Sequence, residues 1–226
     1  MCGRYSFNLK KDDLKVQLPE ILLPENWLQN LNICPTEEAL TIFDVNNLLQ
    51  LSRMRWGFQN DVISKNEMAL CINARSETIF EKMNFKNAIL SRRCILPADS
   101  FYEWGKYGKA KIPYRILPFD GSVLFMAGIW KTFEHNQSLY SAFVIVTTVA
   151  SEDLSDLHNR MPVLLDTPKK RESWLSAGTP TVELVNMMKP LPAGYLKKYP
   201  VSNLINNIKI KSGDLHTPVN SPLTLF

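Results

Sequence analysis

The sequence lacks several things, and each absence narrows what the protein can be. Its opening, MCGRYSFNLKKDDLK, holds no apolar stretch of the kind that forms the centre of a secretion signal. Nowhere does an apolar run reach the ~20 residues needed to span a bilayer, so no membrane association is expected. The chain is therefore expected to stay in a reducing cytoplasm. Cysteine is scarce, with four in 226 residues at positions 2, 34, 71 and 94, and no two form a C-x-x-C pair. That spacing argues against a zinc site or a redox pair, so neither metal nor cofactor is expected. No Gly/Ser linker, block of like charge or internal repeat divides the chain, which reads as one domain over residues 1–226.

What is present is ordinary for a soluble globular protein: 45% hydrophobic and 21% charged residues, in a chain long enough to build a core without covalent staples. The formal net charge is +4 and the pI about 8.8, which permits a polyanionic partner without requiring one. Cys34, Cys71 and Cys94 sit among apolar neighbours and read as small core residues.

Strand patterns cover 48–58, 68–74, 94–104, 112–118, 122–133 and 138–149. The turn signals Gly105-Lys106-Tyr107-Gly108 and His135-Asn136-Gln137 predict hairpins, hence antiparallel pairing. Ser76 is placed to cap a helix over 77–90, with Ile79, Phe80, Met83 and Ile89 on one face. Ser151 followed by two acids suggests a short helix over 151–157. Thr167-Pro168 and Thr179-Pro180 each read as a cap followed by proline at the first helical position. The expected class is α+β, with a mostly antiparallel, barrel- or sandwich-like β core, flanking short helices, and a proline-rich tail from Pro190 wrapping back over the body.

Cys2 stands apart from the other cysteines. If Met1 is removed, it carries a thiol and a free α-amine on one carbon. That amine has a reference pKa near 7.7–8.0, so a useful fraction is neutral and nucleophilic at pH 7. A 1,2-aminothiol meeting an aldehyde forms an imine, and the thiol then closes a five-membered thiazolidine; an internal cysteine, its nitrogen tied up in an amide, does not. Gly3 allows close backbone approach and Arg4 offers a clamp for an anion.

Five separated segments resemble those of the SRAP family of SOS-response-associated peptidases, or abasic-site processing proteins: MCGR at the start, INARSET (72–78), RCILPADSFYEW (93–104), Thr147-Thr148 and LHNRMPVLL (157–165). The ending YPVSNLINN (199–207) is similar too. The resemblance implies binding of single-stranded DNA with an abasic site and trapping of its ring-opened C1′ aldehyde by Cys2, with self-removal of Met1 among the family's described activities; the imine stage would also permit β-elimination, a weak lyase activity. It implies Cys2 as nucleophile, Asn73 orienting it, Glu103 as acid/base for ring opening and imine formation, and His158 as a second proton-transfer group. Arg4, Arg75 and Arg160 would hold phosphates, and Trp56, Trp104 and Thr147 would lie beside the DNA. Damaged single-stranded DNA is then the expected partner of a monomer associated with the nucleoid while bound.

The residues themselves leave alternatives. Asn73 suits an ordinary turn. Glu103, set between aromatic residues, is either turned to solvent by strand alternation or buried with a raised pKa suited to proton transfer. His135 and His216 read as surface residues, whereas His158 precedes an extended Asn-Arg-Met-Pro stretch and reads as part of a functional loop. Two rival functions remain open at this point: an N-terminal-nucleophile amidohydrolase of the glutamine amidotransferase type, and a non-covalent single-strand binding module with an inert Cys2.

Overall fold

Apolar residues recurring every second position, or filling whole short segments, give this chain fourteen short strands and four helices among its described residues. The computed structural model describes residues 2–46, 48–59 and 70–219. In chain order the strands are β1 (Tyr5–Phe7), β2 (Asn30–Ile33), β3 (Glu38–Val45), β4 (Leu48–Trp56), β5 (Phe58–Gln59), β6 (Leu70–Cys71) and β7 (Asn73–Arg75). They continue with β8 (Arg93–Ala98), β9 (Ser100–Tyr107), β10 (Ala110–Pro118), β11 (Leu124–His135), β12 (Ser138–Val149), β13 (Arg160–Pro162) and β14 (Leu196–Pro200). The helices are α1 (Lys11–Gln17), α2 (Met83–Ser91), α3 (Pro168–Leu175) and α4 (Thr181–Met187).

Five strands close on themselves in the order β11-β8-β3-β4-β12, with β12 returning to β11. Every pairing in this barrel is antiparallel except β12 with β4. Closure removes the free edge that an open sheet would leave. The barrel interior and the layers packed outside it bury both faces of β3. On β3, Leu40 and Phe43 pack with Met54, Leu96 and Phe143, while Ile42 joins Ile95, Phe125 and Val144 in a separate cluster under the helices. Each such side chain contributes about 1.5–3 kcal/mol by leaving water. A second sheet, in the order β14-β10-β9-β1-β2, is antiparallel throughout. The α+β class and the barrel-like core are as expected from the sequence.

The expected hairpins form. β9 and β10 turn at Gly108-Lys109, where Gly108 has φ +58°. β11 and β12 turn at Asn136 and Gln137, with φ +49° and +62°, the two left-handed residues that suit the twist of a tight hairpin. The tail also behaves as expected: β14 adds to β10, and Val201 pairs with Pro218.

Three helix expectations need correction. The helix over 77–90 is two pieces, a 3-10 turn at Ser76–Thr78 and α2, because the chain bends between them to bury Ile79. Phe85, Ala88 and Ile89 then form the inner face, and Met83 is 85% exposed. Residues 151–157 form turns rather than a helix. The carboxylate of Asp153, expected at a helix start, instead accepts from the amides of Gly194 and Leu196 and anchors the tail. Thr167 caps α3 as expected, accepting from the Lys170 amide at 3.2 Å, but α4 is entered from Pro180 because the Thr179 hydroxyl donates to the Ser173 carbonyl.

Candidate active site

Cys2 is fully buried, and three strands converge on it. The chain start leads into β1, which pairs with β9 at Tyr5 and Phe101. The Tyr102 amide donates to the Arg4 carbonyl at 3.0 Å, which draws residues 2–4 alongside Glu103. From the other side comes β7, held parallel to β12 with Asn73 opposite Ile145. The Asn73 side-chain amide donates to the Cys2 carbonyl at 3.0 Å across 71 positions of sequence. Its Oδ1 is buried and, among the described residues, has no hydrogen-bond partner. A buried acceptor left open in this way is costly unless a ligand satisfies it.

Glu103 is 4% exposed, so strand alternation does not turn it to water: β9 is covered on both faces here. Burial raises its carboxyl pKa, and the nearby charge of His158 works against that rise. Burial also pushes the Cys2 thiol well above its ordinary value, and the negative charge of Glu103 adds to the effect. Thiol, carboxyl and imidazole thus lie within electrostatic reach of one another.

Next to this group opens a cleft of about 620 Å³ lined by Arg75, Glu77, Thr78, Val149 and the 158–160 segment. His158 Nδ1 accepts from the Arg160 amide at 2.9 Å, so the neutral ring carries its proton on Nε2. Arg160 donates to both carboxylate oxygens of Glu77, at 2.5 and 3.0 Å, and to the carbonyl of Thr147 at 2.6 Å. Arg75 is exposed at the mouth. With two guanidinium groups against one carboxylate, the cleft suits an anion.

The model of the family described as SOS response associated peptidase (SRAP) matches residues 1–208. The chain belongs to the SRAP family. Among its relatives, the abasic site processing protein YoqW of Bacillus subtilis is 36% identical over 223 residues, covering 95% of this chain and 98% of that protein. The abasic site processing protein YedK of Escherichia coli is 30% identical, with 97% of this chain and all of the relative covered. The abasic site processing protein HMCES of Gallus gallus is 33% identical, covering 97% of this chain and 78% of its own length. A crystal structure of a protein from Bacteroides thetaiotaomicron superposes with a TM-score of 0.80 at 23% identity, covering 97% and 100% of the two chains, which shows a shared fold. Membership in the SRAP family leaves the glutamine amidotransferase alternative without support.

Not every residue singled out in the sequence lies at the site. Cys2, Asn73 and Glu103 come together, and His158, Arg75 and Arg160 line the adjoining cleft. Trp56 is a correction: its indole is fully buried, stacked on Phe143 at 6.1 Å and tilted against Tyr5 at 5.3 Å, with Nε1 bonded to the Ile72 carbonyl. It presents no face to a base and belongs to the core. Thr147 is also buried, and its hydroxyl and carbonyl hold Arg160 from behind. Arg4 faces inward and donates to Asn32 Oδ1 at 2.9 Å and to the Ile205 carbonyl, with its guanidinium 5.7 Å from the Trp104 ring. Trp104 is half-buried and bonds Asn206 through Nε1.

Asn32, which the sequence did not single out, is the hub of this second arrangement. Fully buried, it donates to the carbonyls of Ile205, Asn207 and Ile210 while accepting from Arg4. The only hint in the sequence is a polar residue between Leu31 and Ile33, a pattern shared by any solvent-facing strand position.

Proposed function

We propose that this protein processes abasic sites by forming a covalent crosslink to single-stranded DNA through Cys2 once Met1 has been removed. The observation that carries the reading is the seating of Cys2: its carbonyl is held by Asn73 and its thiol lies beside a buried Glu103, at the edge of a cleft bearing Arg75, His158 and Arg160. The names of the relatives, abasic site processing proteins, support it.

The ring-opened deoxyribose presents C1′ as an aldehyde. The α-amine of Cys2 adds to C1′, the carbinolamine loses water, and an iminium remains. The Cys2 sulfur then adds to C1′, its proton departs, and a thiazolidine results; one water leaves for each crosslink formed. Burial keeps the thiol protonated beforehand, so the amine reacts first. The cationic iminium then favours the thiolate, and the second bond closes. Glu103 moves protons during ring opening and imine formation; burial raises its pKa, which makes it a better proton donor to hold in reserve than an exposed carboxylate. His158, with its Nε2 proton, serves the hydroxyl or phosphate side, and the open Asn73 Oδ1 accepts from the amine or a sugar hydroxyl.

Arg75 and Arg160 hold phosphates without reading sequence, which suits a protein whose selectivity comes from the aldehyde. The iminium also acidifies C2′, so slow β-elimination that cuts the strand is the expected side reaction. Intact-mass analysis before and after mixing with an abasic oligonucleotide tests the reading. The mature chain lacking Met1 should gain the oligonucleotide mass less one water, and a chain that gains nothing refutes the crosslink and leaves a non-covalent binding module.

A further inference from the structure

We propose that the β9–β10 hairpin is a second DNA-binding element, which takes the strand as it leaves the cleft past Trp104; this rests on the DNA reading above. Lys106 and Lys111 lie directly opposite each other in the antiparallel register. Like charges in that position repel and weaken the sheet. Lys109 sits in the turn between them, beside Gly108. All three lysines are exposed, and among the described residues none of their side chains makes an ion pair. Folding therefore gains nothing from this concentration of charge, whereas a polyanion would.

The position of the pair says which polyanion. Side chains two apart on a strand share a face, so Lys106 stands on the same face of β9 as Trp104, and Lys111 lies across from it on β10. Trp104 follows Glu103 on β9 and so points to the other face, where it carries on its ring Arg4, two residues from Cys2. Beyond the aromatic ring, the Lys106–Lys111 pair stands about 7 Å further along the strand at roughly 3.3 Å per residue, with Lys109 in the turn past it. That sequence of features, an aromatic platform followed by cations spaced along a groove, is how proteins bind single strands: bases stack and phosphates pair. The opposite face of the hairpin is filled instead, since a Cβ at Gly105 would come within 2.9 Å of Leu157.

The test uses single-stranded oligonucleotides carrying a tetrahydrofuran analogue of the abasic site, which has no aldehyde and so reports binding alone. Three are compared by fluorescence anisotropy: flanks on both sides, a 5′ flank only, and a 3′ flank only. The triple variant Lys106→Ala, Lys109→Ala, Lys111→Ala should lose about tenfold in affinity for the two-sided probe and for one of the one-sided probes, and less than twofold for the other. Its slope of log affinity against log salt should flatten by about 2, from three contacts at ~0.7 each.

Removing the opposed charges should leave Tm equal or higher, and a Lys→Arg triple should keep wild-type affinity. Replacing Lys11, Lys15 and Lys169 of α1 and α3 with alanine should cost less than twofold on every probe. Equal losses on both one-sided probes, or losses matching this control triple, would overturn the proposal. An oligonucleotide with a true aldehyde separates the two ideas: if it yields no adduct while the one-sided loss persists, the crosslink falls and the hairpin surface stands.

Discussion

The side-chain amide of Asn73 donates to the carbonyl of Cys2 at 3.0 Å, which ties Cys2 to β7, a strand paired alongside β12 of the barrel. β12 also carries Thr147, which supports Arg160. Asn73, which holds Cys2, and Thr147, which supports Arg160, therefore sit on one strand pair, and the two proposed roles should be separable by experiment.

Replacing Cys2 with alanine should abolish the covalent adduct on a denaturing gel. Cys2→Ser keeps the amine and loses the sulfur, so an adduct should form only when borohydride reduces the imine. An alanine variant that still crosslinks at the wild-type rate would place the chemistry elsewhere.

Glu103→Gln should slow adduct formation at least tenfold while changing DNA affinity less than twofold, since a proton-transfer group acts on the chemical step. Stability should move the other way. The pKa of Glu103 is raised by burial, so between its unfolded and folded values the native state holds a proton that the unfolded state has lost. Stability therefore falls as pH climbs through that window, and the penalty persists at neutral pH. The glutamine variant removes it, so its Tm at pH 7.5 should equal or exceed wild type, while below pH 4 the two should converge.

Arg160 is already engaged by Glu77, and the pairing holds the Glu77 carboxyl below its usual range. A phosphate must displace or share that partner. Glu77→Gln should then tighten binding of single-stranded DNA by about two- to fivefold, whereas Arg160→Ala should weaken it and reduce the salt slope by about 0.7. Weaker binding by the Glu77 variant would mean that the carboxylate aims the guanidinium rather than competing for it.

Asn32→Ala should destabilise the protein by about 1–3 kcal/mol in a urea titration, because it strips a donor from buried tail carbonyls and an acceptor from Arg4. The adduct should also form more slowly, as Arg4 lies two residues from the nucleophile. A variant of unchanged stability would show the hub to be dispensable.

Trp56→Ala should cost about 3–5 kcal/mol, as a large core truncation does. Trp56→Phe should leave DNA affinity unchanged, whereas a ring that stacked on bases would lose about 1–3 kcal/mol of binding on truncation to alanine at a temperature where the fold survives.

How much of this could be read from the sequence depends on how local each feature is. The strand patterns at 112–118, 122–133 and 138–149 each meet one strand, because Val, Ile and aromatic residues recur between clear turns, and the Asn136-Gln137 and Gly108 turns announce their hairpins. Those at 48–58, 68–74 and 94–104 each divide into two strands, the last at Asp99, where the chain passes from the barrel to the second sheet; residues 68 and 69 lie outside the described residues. β3 escaped notice: buried on both faces, Ala39–Phe43 lacks the alternation that marks a half-exposed strand. The helix over 77–90 broke because burying Ile79 outweighed helical periodicity. At the site, Cys2, Asn73, Glu103 and His158 sit in segments whose resemblance to the SRAP family named them, and the structure brings the first three together. The hub at Asn32 and the inward turn of Arg4, expected at a phosphate, were illegible for a different reason: the partner of Arg4 on the tail lies 201 positions away, and no local pattern records such a contact.

The tail has one more consequence. Ser6 of β1 meets His216 at 3.0 Å, and Lys211 bonds the Asn32 carbonyl, so β1 and β2 lean on a stretch of chain beyond residue 208, the point at which the family match stops. Cutting the chain there would spare every residue of the matched segment and still strip the support from behind its first two strands. A shortened version drawn along the family boundary should therefore melt earlier than the full chain.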